Sequence, residues 1–151
     1  MEIIRLLIAY ECPFATIKPM QEPSIFTRII NGEIHAHKVY EDDRVIAFLD
    51  AHPVFEGHTL VIPKVQVDSL WDLSDEDYEY LWKVAKKIAK HIKEVYDCPR
   101  VGSVVEGFGV PHAHIHLVPI YQGDDLRRFP NHEISPDQDL LEHVAECLRM
   151  Q

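Results

Sequence analysis

His112-Ala113-His114-Ile115-His116-Leu117-Val118 is the stretch on which the reading of this chain turns. Imidazoles alternate with apolar side chains, and Leu117-Val118-Pro119 carries the run on as a half-buried strand. A strand alternates its side chains between two faces. The three histidines therefore share one face, while Ala113, Ile115 and Leu117 share the other. Three ionisable rings on one side of a core strand point to a pocket; the blander reading is a solvated strand face. Metal binding is the competing chemistry. Same-face neighbours on a strand are about 6.6 Å apart, so the outer rings stand about 13 Å apart. With ligand distances of about 2 Å, two rings can share one zinc, and all three only on a sharply bent strand. A row of imidazoles along an extended anion fits better. One neutral ring can attack phosphorus while its neighbours donate hydrogen bonds to phosphoryl oxygens or relay protons. Phosphoryl transfer asks mainly for placement and charge compensation.

The rest of the chain is read outward from there. At 151 residues it has the length of a single domain, 1–151, with an N-terminal extension over 1–11 and a C-terminal segment over 122–151. No apolar run reaches transmembrane length, and Leu6-Leu7-Ile8-Ala9 lacks the flanks of a signal peptide. The three cysteines, Cys12, Cys98 and Cys147, show no paired spacing, which suits a reducing, cytoplasmic setting without membrane attachment. The formal charge of −10 argues against a broad nucleic-acid surface, but leaves room for a locally built anion site.

In chain order, residues 1–10 offer an added edge strand or a packing segment, and Cys12-Pro13-Phe14 a turn. A short helix is expected over about 24–30, stopped by Asn31-Gly32. Residues 36–50 read as a hairpin and 58–64 as a strand ending at its proline. The clearest helix starts at Ser74, with acids in its first turn and Leu73 placed to staple against Tyr78. Leu81, Trp82, Ala85, Ile88, Ala89, Ile92 and Tyr96 form its apolar stripe, and five lysines its solvated face. Residues 101–106 read as a strand and 107–111 as a turn. Ser135 is expected to cap a last helix, with Pro136 at its first position and Leu140, Leu141, Val144 and Leu148 facing inward. The sum is an α+β domain: an antiparallel sheet with a short N-terminal helix, one long central helix and a C-terminal helix.

The spacing at 112–118 also resembles the His-x-His-x-His-x-x signature of the histidine-triad (HIT) nucleotide-binding and hydrolase superfamily. The likeness runs from about Cys12 to Tyr121. It takes in Asn31-Gly32-Glu33-Ile34, Val39-Tyr40-Glu41-Asp42-Asp43, Ala47-Phe48-Leu49-Asp50 and the stretch from Gly57 to Lys64, in the family's order. What the resemblance implies is a homodimer of HIT-like fold that binds purine nucleotides or nucleotide conjugates. It would cleave nucleoside phosphoramidates or dinucleoside polyphosphates at the α-phosphorus through a nucleotidyl-histidine intermediate, without a cofactor. The alternatives are a nucleotide-binding or scaffolding protein with weak catalysis, and a nucleotidyl-transfer enzyme.

By the same resemblance His114 is the nucleophile and His116 binds phosphate, while His112 and His58 complete the relay to the leaving group. Asp50 accepts the ribose hydroxyls, and Ile25, Phe26, Ile29, Phe48 and Leu60 line the base pocket. The chain departs from the family pattern in two places. Many members carry Cys-x-x-Cys near the start and a histidine after the Ile-Pro-Lys strand, which hold a structural zinc. Here Ala15 and Gln66 stand at two of those positions, so no such zinc is expected. The loop before the triad, 105–111, is shorter and poorer in polar side chains. His35, His37, His52, His91, His132 and His143 fall outside both the strand and the family motif and read as surface or local structural residues, with His52 a candidate for the pocket rim.

Overall fold

Five antiparallel strands run in the order β1-β2-β3-β5-β4 in the computed structural model, which describes residues 22–123, 125–127 and 137–150. They are β1 (Lys38–Glu41), β2 (Val45–Leu49), β3 (Thr59–Pro63), β4 (Arg100–Val104) and β5 (Ile115–Ile120). The helices are α1 (Ile25–Ile30), α2 (Asp75–Tyr96) and α3 (Gln138–Leu148). The α+β architecture expected from the sequence is the one observed. The segments expected over 1–10 and 12–14 lie outside the described residues.

Two cores flank the sheet, and the two-residue period of the strands sorts side chains between them. Val45, Ala47, Leu49, Val61, Ile115 and Leu117 face α2 and α3, whose Leu81, Ala85, Ile88, Ile92, Leu141 and Val144 complete the larger core. Ile46, Phe48, Leu60 and Ile62 face the other way, onto Phe26 and Ile29 of α1. Every residue of β2 and β3 is buried. At about 1.5–3 kcal/mol per large apolar side chain, that double burial makes these strands the thermodynamic centre of the fold.

Register then positions the site. Phe48 pairs with Leu60, and Leu60 with His116, so one row across the sheet carries two apolar side chains and a triad histidine on the same face. The regular strand begins only at Ile115. His112, Ala113 and His114 approach it irregularly, because Pro111 brings no backbone N–H and the Ala113 N–H is spent on the Val67 carbonyl at 2.6 Å. The side-chain alternation nevertheless holds: Ala113 joins the larger core, while Phe26 packs edge-on against His112 and His114.

Some boundaries differ from expectation. The strand read over 101–106 is Arg100–Val104, and Val105 leaves the ladder for the loop. Asp137 caps α3 through the Leu140 N–H, and Ser135 and Pro136 lie outside the described residues. Leu140 is exposed, and Ala145 takes an inward place instead. A helix starting at Gln138 puts Leu141, Val144, Ala145 and Leu148 on its buried stripe, which leaves Leu140 about 100° off it. Ser74 caps α2 as expected, and Lys83, Lys86, Lys87, Lys90 and Lys93 are exposed. Among the described residues no helix is long and apolar enough to cross a membrane.

Candidate active site

A groove of about 460 Å³ opens between α1 and the sheet. Its size suits a nucleotide-sized ligand. Ile25, Phe26, Ile29, Phe48 and Leu60 line one part, and Asp50, His114 and His116 another. Phe26 sets its ring edge-on to Phe48 at 5.7 Å and to His114 at 5.2 Å, so the apolar wall and the histidines meet without a gap in the sequence of contacts. Ile25 is half exposed at the groove's rim, while Phe26, Ile29, Phe48 and Leu60 are buried. Ser24 starts this wall by accepting the Thr27 N–H at 3.0 Å as the cap of α1.

The hydrogen bonds assign the protons on the rings. His114 lies 2.7 Å through Nδ1 from the carbonyl of His112, which accepts only, so Nδ1 carries the hydrogen and Nε2 keeps its lone pair. The backbone N–H of Val54 donates to Nδ1 of His58 at 3.3 Å, which puts the His58 hydrogen on Nε2. That hydrogen faces Nδ1 of His116 at 3.0 Å, so His116 carries its own on Nε2. Nε2 of His116 is buried and has no hydrogen-bond partner among the described residues. A buried N–H left without an acceptor marks a place where a ligand oxygen is wanted.

Electrostatics agrees with this assignment. Burial pushes His58 down to about 4. His116 is also pushed down to about 4, by burial first and then by its neighbours His114 and His58. Both rings are therefore neutral at physiological pH. Asp50 stands at the end of this chain. Its Oδ2 lies 3.8 Å from Nδ1 of His58, and its Oδ1 accepts the His52 N–H at 2.8 Å. The carboxylate is partly exposed on the groove wall and has lone pairs left for further donors.

His112 is placed differently from the other three. Its ring is wholly buried: Nε2 donates to the Pro63 carbonyl at 2.8 Å, and Nδ1 receives the Ser24 hydroxyl at 2.8 Å. No hydrogen bond joins it to His58. What it presents toward the His114 ring is its backbone carbonyl. The irregular backbone before Ile115 turns the His112 ring toward α1 and the end of β3.

Ser24, Thr27 and Gln66 are the residues that sequence reasoning passed over as parts of the site. Oε1 of Gln66 accepts the Ser24 N–H at 2.9 Å and the Thr27 hydroxyl, and its Nε2 donates to the Glu22 carbonyl at 2.9 Å. This network fastens the start of α1 to His112. Hydroxyls and a fully engaged amide do not make a zinc donor set, so these residues do not fit the structural zinc of many histidine-triad proteins. The signal that could have found them was the serine cap itself, which brings Ser24 to the wall nearest the triad. Of the remaining histidines, His35 and His37 line the groove, and His37 is buried.

Comparison with known proteins places this geometry. The HIT domain model matches residues 31–123. A HIT-like protein of Borreliella burgdorferi is 41% identical over 110 residues, covering 66% of this chain and 77% of that protein. The adenosine 5'-monophosphoramidase HNT1 of Saccharomyces cerevisiae is 35% identical over 114 residues, 71% of this chain and 72% of the yeast protein. Among solved structures, the Hit-like protein of Bartonella henselae involved in cell-cycle regulation superposes with a TM-score of 0.75 at 34% identity, over 83% of this chain and 93% of that one. The matched residues 31–123 hold the sheet side of the groove, Asp50 and the histidines of 112–116, and on that ground the chain belongs to the HIT-domain family.

Proposed function

We propose that the protein hydrolyses nucleotide conjugates at the α-phosphorus, taking phosphoramidates or dinucleoside polyphosphates of a purine nucleoside. The carrying observation is His114, whose Nδ1 is held by the His112 carbonyl so that the Nε2 lone pair is available beside the groove. Nε2 attacks the α-phosphorus, and the bond to the amine or phosphate leaving group breaks with its electron pair going to the leaving group, which takes a proton from solvent that the water of the second step gives back. Nε2 of His116 donates to a phosphoryl oxygen as charge gathers there. The ring behind it, His58, keeps His116 in the tautomer that can donate. Water then attacks the phosphorus of the nucleotidyl-histidine, releases the nucleoside monophosphate and returns the electron pair to Nε2. Asp50 takes the ribose hydroxyls, and the apolar wall from Phe26 to Leu60 takes the base. The phosphoramidase name of the yeast relative supports the choice of leaving group. By the family resemblance the active form is a homodimer working in the cytoplasm.

Turnover of adenosine phosphoramidate and diadenosine polyphosphates, measured beside their guanosine counterparts, tests the reading. His114→Ala is expected to lower kcat by at least about 10³-fold while nucleotide still binds. Equal activity in the variant would remove His114 as the nucleophile. Micromolar nucleotide binding by the intact protein with no turnover of any of these compounds would favour a binding module.

A further inference from the structure

We propose that His35, His37 and Glu142 form a binding site for a divalent transition-metal ion, zinc by its donor set, that clasps α3 to the segment entering β1. The three residues each offer one ligand atom, and those atoms lie within 4.8 Å of one another. They come from places 105 residues apart in the chain, so the tertiary fold assembles the cluster.

His37 is buried between two turns of α3. Its Nδ1 lies 2.9 Å from Oε2 of Glu142, and its Nε2 lies 2.9 Å from Oε1 of Gln138. A ring nitrogen and a carboxylate oxygen at that distance need a proton or a cation between them. A cation there leaves the ring hydrogen on Nε2, aimed at the Gln138 oxygen. That is the arrangement metal-bound histidines commonly adopt, with the second ring nitrogen donating to an oxygen. Glu142 and Gln138 are four residues apart on one face of α3, which lets one serve as ligand and the other as orienting acceptor. The other oxygen of Glu142 faces Arg149 at 3.4 Å, so Oε2 is the one directed to His37.

His35 completes the set. Its ring stands edge-on to His37 with centroids 4.9 Å apart, and the residue is exposed. Ligands of a tetrahedral zinc are about 3.3 Å from one another, a spacing that rotation of the exposed His35 ring can reach from a cluster within 4.8 Å. Two imidazoles and one carboxylate select zinc over magnesium or calcium, which prefer all-oxygen shells. A second cluster, Asp50, His58 and His116, also has ligand atoms in reach of one another. Its two rings are already hydrogen-bonded together at 3.0 Å, and their protons serve the groove.

The test uses tag-free full-length protein stripped with a chelator and titrated with zinc chloride by calorimetry, and separately with cobalt(II) followed by visible absorption. One zinc per chain, a rise in Tm with zinc, and d–d bands of a low-coordinate cobalt site are expected. His35→Ala removes only an exposed ring and should weaken zinc at least about 10-fold, as should the isosteric Glu142→Gln. Glu142 is not among the residues lining the groove, so nucleotide turnover of Glu142→Gln reports independently on the proposed active site. Failure of the intact protein to bind zinc, wild-type affinity in both variants, or loss of binding in Asp50→Asn with retention in His35→Ala would each overturn the proposal.

Discussion

At the scale of single residues, the reactivity of the site depends on which oxygen or nitrogen each ring faces. His114 is oriented by a carbonyl two residues before it, a partner supplied by backbone geometry and so proof against side-chain substitution. His116 is oriented by His58, which is itself set by the Val54 N–H, so a change at His58 reaches the groove through a tautomer. Asp50 acts in the proposed function by accepting hydrogen bonds from a bound sugar. Asp50→Asn keeps the shape and removes the charge, so one charge-assisted bond becomes ordinary and one acceptor becomes a donor. A bond to a charged group is worth about 1.5–3 kcal/mol, which predicts a rise in KM for a ribonucleotide substrate of about 10- to 100-fold. A 2'-deoxy substrate should show a smaller difference between the two proteins. Equal KM for the ribose substrate in both would free Asp50 from the role.

At the scale of elements, the turn between β1 and β2 is bound to α2 by one carboxylate. Asp42 accepts the backbone N–H groups of Arg44 and Val45, both at 2.8 Å, through Oδ1. Through Oδ2 it accepts the hydroxyls of Tyr40 at 2.7 Å and Tyr80 at 2.9 Å. Arg44 lies over the Tyr80 ring at 4.4 Å and pairs with Glu76 and Asp77 in the first turn of α2. The exposed ion pairs are worth little singly, whereas the partly buried carboxylate closes the turn and ties helix to hairpin. Asp42→Ala leaves two N–H groups and two hydroxyls to find water, and should cost about 2–4 kcal/mol in urea unfolding. Asp43→Ala, on the neighbouring exposed position, serves as the control and should change little; equal losses would point to a general effect of charge.

At the scale of the whole molecule, burial lowers the pKa of His58, His112 and His116 below that of an unfolded chain. The folded values of His58 and His116, about 4, lie below the ordinary 6.5. Between those two values the unfolded state binds more protons than the folded one, so stability rises with pH across the window. The contribution is complete above about 6.5 and is lost as pH falls toward 4. For His58 alone the loss is on the order of 3 kcal/mol. Chemical denaturation at steps from pH 7 to 4 should show the decline, and His58→Asn should flatten it. An unchanged slope in that variant would place the pH dependence elsewhere.

The fold class, the apolar stripe of α2, that of α3 apart from Leu140 and Ala145, the capped start of α2 and the polar face of residues 112–118 were legible in the sequence. Each follows from local rules: the two-residue period of a strand, the 3.6-residue period of a helix, and the preference of serine for a helix cap. That His114 and His116 share one face was legible too, through the triad spacing. Tertiary structure decided the rest. The row Phe48–Leu60–His116 exists only because strands far apart in the chain pair in one register. The His112 ring left the groove because Pro111 and the Val67 carbonyl bend its backbone off the ladder. His37, one of six histidines outside the triad motif, became a buried residue because α3 folds back over it from 105 positions away. A period tells which side of an element a residue faces; what stands on that side is settled by long-range packing.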